Sequence, residues 1–469
     1  MSSSLSIHPS SLVSRLLTLP LLVALSGLLG CSASAPATRP TAQATLPTIA
    51  LPPPAPVAPV EPFPVMLGID VLEAQGFAPI RGKTVALLTH PAGVNRQGVS
   101  TIDVLRRAPG VKLAALFAVE HGINGEFPAS QNYNDYTDKR TGLRVYSLYD
   151  GKNGGHPSKA QLKGIDALVI DLQDIGSRSY TFAVRMKYAM EGCFENGVEV
   201  IVLDRPNPLG GLKVSGPLLD VKYMSGVGAF RVPYVHGLTI GELARMVKDE
   251  LPPGGLAISA AARARGKLTV IPMRGWRRSM RWPETGLKFV GTSQLVQTYE
   301  ATVGYAMVGL GCELSGFTHG IGKDYPFRGI GFKGPSALAK GATTVDFLEK
   351  EFNALHVAGV KYRKVMGINS TTGKPEPGLY VDVVNWDEWD PTELSFRMMQ
   401  LACRLNPPNP FARLSAADLK RFNIHVGSEA WTTALVRDGA RVNVDAFLKE
   451  WQERDQIYQQ QTRKFWLYQ

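Results

Sequence analysis

Four acidic residues in the first half of this chain stand at the ends of apolar runs of β type. Glu120 follows KLAALFAV, Asp171 and Asp174 lie at the end of ALVIDLQD, and Asp204 closes VEVIVLD. In an open parallel α/β sheet such positions line the crevice outside the carboxyl ends of the strands, where ligands bind. Carboxylates gathered there can move protons or hold hydroxyls. Glu120 is followed by His121 and by Gly122, a residue that lets backbone come close to a ligand. A strand-end Glu partly withdrawn from water suits general acid work. The same Glu could instead cap the next helix or pair with an arginine.

The stretch Asp171-Leu172-Gln173-Asp174 runs on into Ile175-Gly176-Ser177-Arg178-Ser179-Tyr180-Thr181. Alternation along a strand puts Asp171 and Gln173 on one side and Asp174 on the turn. Asp, Gln, Arg, Tyr and Thr crowded at one strand-to-helix junction suit a hydroxyl-rich ligand, since each hydroxyl needs a donor and an acceptor. Arg178 could grip a carboxylate with two parallel hydrogen bonds, or form a local ion pair with Asp174. Asp204-Arg205-Pro206-Asn207-Pro208-Leu209-Gly210-Gly211 reads as a rigid polar loop, either a binding element or a plain connector. Trp276-Arg277-Arg278-Ser279-Met280-Arg281-Trp282 interleaves indoles, which can stack on sugar rings, with guanidinium groups. It reads equally as a basic surface loop. Glu313 adds a loop carboxylate ahead of Thr318-His319-Gly320-Ile321-Gly322. His236 and His90 are read as structural. The chain shows no H-E-x-x-H, no Cys/His zinc spacing and no EF-hand loop, so no metal is implied.

Parallel strands must position these groups. TVALLT (84–89), KLAALFA (112–118), ALVIDL (167–172) and EVIVLD (199–204) alternate with helices. One helix is capped by Ser100 and runs to Arg107. Another spans Tyr180 to Asn196 and stops at Gly197. Thr239 through Glu242 has capping-box spacing and opens a third, through Val247. Continuous apolar strands call for a sheet covered on both faces. The expected architecture is α/β: a Rossmann-like parallel sheet domain over 65–253, then a smaller α+β C-terminal domain over 254–469 contributing to the site. The break falls at the Pro252-Pro253-Gly254-Gly255 shift. The second domain is assigned strands at 267–272, 360–365 and 379–384, with helices at 343–355, 391–404 and 443–461. No G-x-G-x-x-G follows the first strand, so a dinucleotide site is unsupported.

At 469 residues and 44% apolar content the chain can bury real cores. Its formal charge of +11 favours anionic partners such as cell-wall polymer or lipid headgroups. No long Lys/Arg run with interleaved aromatics points to nucleic acid. Residues 16–30 form an apolar export-signal core after Arg15. Leu28-Leu29-Gly30-Cys31 resembles the lipobox of bacterial lipoproteins, which implies a signal peptide over 1–30 and a lipidated Cys31. By that resemblance Ser32 favours the outer membrane, facing the periplasm; a conventional signal peptide cut elsewhere is the alternative. Residues 31–64, rich in Pro, Ala and Thr, read as a semi-rigid tether. The three remaining thiols, Cys193, Cys312 and Cys403, are an odd number and argue against a disulfide framework. Cys193 continues the apolar face of Phe182, Met186 and Met190.

Taken together the motifs resemble one bacterial family, the exo-β-N-acetylmuramidases of glycoside hydrolase family 171, formerly a domain of unknown function. The matching residues are Glu120-His121-Gly122 with Gly125, Thr141-Gly142-Leu143 with Val145 through Tyr149, and Asp171, Gln173, Asp174, Gly176, Arg178, Tyr180 and Thr181. Asp204 through Pro208, His236 through Thr239, Gly275 through Arg278 and Thr285 through Leu287 continue the match. The resemblance implies a Rossmann-like catalytic domain without an organic cofactor, acting on peptidoglycan fragments, with Glu120 as the leading catalytic carboxylate. In the second half, the family's Ser-Pro-Asn is Ser293-Gln294-Leu295 here. Where the family has a Glu and an Arg in its glycine-rich loop, this chain has His319 and Ile321, leaving Lys323, Arg328 or Arg178 to meet a lactyl carboxylate.

The expected function is a lipid-anchored glycoside hydrolase that releases N-acetylmuramic acid, or a related amino sugar, from non-reducing ends. Glu120 is its acid, Glu313 or Asp171 the second carboxylate, and His121 a further catalytic candidate. Gln173, Asp174, Arg178, Tyr180, Asp204, Arg205, Asn207, His236 and Trp276 are the candidates for holding substrate. A carboxyl separation of about 5–5.5 Å would give retention and roughly 6.5–9.5 Å inversion. The rivals are a non-catalytic sugar-binding lipoprotein and a metal-dependent hydrolase built on Asp171, Asp174, His121 and His236.

Overall fold

Runs such as TVALLT and KLAALFA are apolar at both parities, so a strand made from them must be covered on both faces. The computed structural model describes residues 65–333 and 344–469, and the signal peptide, Cys31 and the tether lie outside them. Strands β1 (Thr84–Thr89), β2 (Lys112–Ala118), β3 (Tyr136–Thr137), β4 (Arg144–Ser147), β5 (Ala167–Asp171), β6 (Glu199–Leu203) and β7 (Leu268–Ile271) form one sheet, in the order β3-β4-β2-β1-β5-β6-β7. All pairings are parallel except that of β3 with β4.

Parity sorts the side chains. Val85, Leu87, Leu116, Val169 and Ile201 face α1 (Gly68–Ala74) and α2 (Thr101–Arg106), which supply Ile69, Leu72, Ile102 and Leu105. Ala86, Leu88, Phe117, Ile170 and Val202 face the other way. There α3 (Thr181–Glu195) and α4 (Ile240–Asp249) bring Phe182, Met186, Met190 and Leu243. Each such side chain contributes about 1.5–3 kcal/mol when fully buried. Local signals set the helix ends. Ser100 accepts from the Ile102 amide, and Thr239 with Glu242 forms the expected capping box. Cys193 is fully buried on α3, and Cys193, Cys312 and Cys403 are all free thiols.

The run at 267–272, assigned above to the second domain, is instead the seventh strand of the first sheet. A crossover through α5 (Ala260–Arg265) brings it back parallel to β6. The Pro252–Gly255 shift is thus a connector inside the α/β layer. Beyond it come α6 (Tyr299–Val308) and a four-stranded antiparallel sheet of order β10-β11-β9-β8, made of β8 (Phe317–Thr318), β9 (Gly329–Phe332), β10 (Val360–Ile368) and β11 (Pro375–Val383). Helices α7 (Val345–Asn353), α8 (Glu393–Leu405), α9 (Ala416–Val426), α10 (Glu429–Asp438) and α11 (Val444–Thr462) complete this smaller α+β part. Its apolar residues, including Phe352, Phe396, Trp431 and Trp451, join the cluster on the α3–α4 face.

Candidate active site

Chain order reverses at β1, which pairs with β2 on one side and β5 on the other. The crevice above such a switch point is the usual ligand site. Here many of the strand-end groups are tied to one another, beside a cavity of about 440 Å³ lined by the loop after β1 with Gln173, Arg205 and Trp282. His90, after β1, accepts from the Gln173 amide at 2.9 Å, and burial lowers its pKa to about 3, so the ring is neutral. Asp171 is 0% exposed, and its carboxylate receives Arg205 at 2.5 and 2.9 Å and the Thr101 hydroxyl. It has no face left for substrate. Gln173 donates to the carbonyls of Asp174 and Pro206, and Asn207 ties off its own turn and the Leu238 carbonyl. Asp204 accepts from the Thr239 hydroxyl, the Gly241 amide and the Tyr468 hydroxyl, and burial raises its pKa to about 7. It therefore fastens the start of α4 and the C-terminal residues.

Other candidates also hold the fold. The Arg178 guanidinium donates to the carbonyls of Pro217, Val232, His425 and Val426, so it neither pairs with Asp174 nor is open to a ligand carboxylate. Tyr180 donates to Thr292 at 2.7 Å. His121 sits 2.9 Å from the Phe127 carbonyl and anchors the loop after β2. Trp276 is 3% exposed and edge-on to Tyr468, so it offers no platform to a sugar. Arg278 in the same motif is buried against Glu242 and under Trp466. His236 pairs with Asp174 at 3.2 Å, while its other ring nitrogen accepts from the Leu238 amide. Of the residues a metal-dependent hydrolase would need, Asp174 and His236 pair with each other, while Asp171 and His121 are engaged elsewhere. Among the described residues no three His, Cys, Asp or Glu side chains come together to hold a metal.

Of the acidic candidates, Glu120 and Glu313 stay open to solvent, and both act electrostatically on the buried Tyr305 hydroxyl of α6. Burial above all, with Glu313, Glu120 and Asp174 adding to it, pushes this phenol up to about 12, while a hydrogen bond shared with the Ser179 hydroxyl (3.1 Å) works the other way. Glu120, partly exposed at the end of β2, accepts the Ser130 amide at 2.7 Å and the Thr181 hydroxyl at 3.0 Å. Tyr149 and Arg185, stacked on it at 4.9 Å, also lie within electrostatic reach of Glu120. These partners fix where its oxygens point. Glu313 has a third of its side chain exposed (33%) and lies 3.9 Å from His425. Asp174 takes the Gly176 amide and His236 on a single oxygen, Oδ2. An aromatic wall runs from Tyr305 to Phe327 (4.8 Å) and on to His319, stacked on Phe327 at 4.5 Å. Burial holds His319 below its ordinary pKa and neutral. Two open carboxylates beside such a wall can deliver a proton to a leaving group and face a cationic transition state.

Backbone strain gathers at the same place. Six non-glycine residues have left-handed φ among the described ones. Four of them, Ser130, Leu314, Tyr325 and Phe327, sit in the segments that carry Glu120, Glu313 and the aromatic wall. Each such residue costs of order 1–3 kcal/mol, a cost that persists where function requires it. Ser130 shows the use: its φ of 60° aims an amide at Glu120. Sequence reasoning missed Ser130, Tyr305, Arg185 and the wall. Tyr149 lay in a motif run but had no assigned role. None of these residues carries a local signature, because each acts through contacts distant in sequence.

The family model described as exo-beta-N-acetylmuramidase NamZ, N-terminal, matches residues 85–300, and the corresponding C-terminal model matches 303–468. Peptidoglycan beta-N-acetylmuramidase NamZ of Bacillus subtilis (strain 168) is 34% identical over 408 residues, 86% of this chain and 91% of that protein. The crystal structure of a DUF1343 family protein from Bacteroides fragilis NCTC 9343 superposes with a TM-score of 0.75 at 33% identity, covering 86% of this chain and 99% of that one. A second DUF1343 protein of the same organism, at 23% identity and a TM-score of 0.61 with the same coverage, shares the fold.

Proposed function

We propose, from the premise that this chain belongs to the exo-beta-N-acetylmuramidase NamZ family and is a glycoside hydrolase acting on peptidoglycan, that it removes N-acetylmuramic acid from the non-reducing ends of wall fragments. Glu120 is the general acid and Glu313 the second carboxylate. The observation that carries the assignment is that both carboxylates keep a solvent-facing side: Glu120 is partly exposed while the Ser130 amide and Thr181 hydroxyl hold it, and Glu313 is a third exposed. Asp171, the other candidate partner, is closed off by Arg205 and Thr101.

The chemistry follows from the placement. Glu120, held by Ser130 and Thr181, protonates the glycosidic oxygen as the bond to the anomeric carbon lengthens. Glu313, on the loop after α6, faces the positive charge that grows on the ring and either attacks that carbon or activates a water. Incubation with a muropeptide digest, read by mass spectrometry, should release a single amino sugar from one end. Internal fragments instead of monosaccharide would exclude exo action. Proton NMR of the fresh product then reads the anomeric outcome.

The reading also places the enzyme in the cell envelope, lipid-anchored at Cys31 to the outer membrane and facing the periplasm. Its support is the apolar run over 16–30, the Leu28 to Cys31 pattern and the Pro-rich stretch after it. Cys31→Ala should move the protein from the membrane pellet to the soluble fraction. Equal partitioning of variant and wild type would rule out the anchor.

A further inference from the structure

The hydrolase reading leaves open what meets the carboxylate that distinguishes N-acetylmuramic acid from N-acetylglucosamine. A cleft of about 430 Å³ is lined by Cys312, which precedes Glu313 in the chain, and by His319, Lys323 and Lys333, with the turn between β10 and β11 as its floor. It continues the aromatic wall, since His319 belongs to both. Packing distinguishes the positions that could supply a cation here. Arg178 is engaged by four carbonyls. Arg328 is buried, donates to the Val381 carbonyl at 2.6 Å and lies over the Tyr380 ring. Ile321 points into the small sheet, where a Cβ added to Gly329 or Gly378 would meet its side chain at 2.7 or 2.5 Å, so a longer cationic side chain has no room there.

Lys323 differs. Its backbone is clamped: its amide donates to the Ile368 carbonyl at 2.9 Å, and Gly322, at φ +59°, forms the turn. A Cβ on Gly322 would strike the Ile368 carbonyl oxygen at 1.7 Å, so only glycine permits this approach. The neighbouring Asp324 carboxylate takes the Ile368 amide at 2.8 Å, and Glu376 takes Asn369 at 3.0 Å. Both acids of the cleft therefore have partners, while the exposed ammonium groups of Lys323 and Lys333 have none among the described residues. A clamped backbone, a free cation and an adjacent aromatic wall make an anion subsite.

We infer that this cleft receives the lactyl carboxylate of the muramic sugar, with Lys323 as its principal counter-charge and Lys333 in support. The inference rests on the hydrolase reading for its substrate, and the test separates the two. Chromogenic N-acetylmuraminide and N-acetylglucosaminide differ only in the lactyl ether, so the ratio of their kcat/KM values isolates its recognition. Lys323→Gln should lower that ratio about tenfold, as loss of one charged hydrogen bond would, and Lys323→Arg should restore most of it. Lys333→Gln should give a smaller drop. A ratio unchanged in both Gln variants overturns the inference while leaving the hydrolase reading intact. Titration of the free sugars by calorimetry covers the converse. If neither glycoside is cleaved, yet N-acetylmuramic acid binds more tightly than N-acetylglucosamine and Lys323→Gln erases the difference, the subsite stands and the hydrolase reading falls. Absence of both cleavage and binding preference overturns both.

Discussion

Glu120→Gln is expected to lower kcat on a peptidoglycan disaccharide by about 10³-fold, within the range general acid catalysis contributes. The substitution is nearly isosteric. The amide oxygen can still accept from Ser130, and Thr181 can turn its hydroxyl to accept instead of donate. Circular dichroism and Tm should therefore stay close to wild type. What is lost is the transferable proton. The defect should shrink on an aryl glycoside whose leaving group is a stable phenolate, because that group departs with little protonic help. An equal defect on both substrates would mean that Glu120 binds or orients but does not protonate. Wild-type turnover on the disaccharide would remove it from the chemistry altogether.

Arg205→Met should cost about 3–5 kcal/mol of stability, the usual penalty for leaving a buried charge without its partner. It is expected to lower Tm by roughly 5–10 °C. Asp171 is fully enclosed, and among the described residues Arg205 and Thr101 are the side chains that donate to its carboxylate. Adding Asp171→Asn to Arg205→Met removes the stranded charge and should recover part of the loss. Turnover per folded molecule should fall far less than in Glu120→Gln, because Asp171 braces the strand ends without touching substrate. A variant of unchanged Tm but abolished turnover would return Asp171 to the catalytic list and displace Glu313 as the second carboxylate.

The two expectations turn on residues that look alike in the sequence. Glu120, Asp171, Asp174 and Asp204 all follow apolar strand runs, and all four do end at the carboxyl edge of the sheet. That much obeys short-range rules: apolar continuity makes the strand, and strand direction places its last residue. The capping box at Thr239 and the stop at Gly197 were legible for the same reason. The edge strand at 268–271 was misplaced because the same short run suits either sheet, and only its hydrogen-bonded neighbour, β6, distinguishes them.

Sequence alone therefore determined the parallel layer, the crest on which the acids stand and, through motif resemblance, the family. It did not determine which acids remain free. Arg205 closes Asp171, Tyr468 reaches back to Asp204, and Arg178 is drawn away from Asp174 by carbonyls of the α+β part. Those partners arrive from anywhere in the chain, so no local pattern records them. The same holds for Tyr305, whose helix shows no chemical signature yet which lies within electrostatic reach of both Glu120 and Glu313. A carboxylate's place on a strand is a matter of local geometry. Whether it stays open to substrate depends on which distant donors the folded chain packs against it, and that is settled only when the tertiary structure forms.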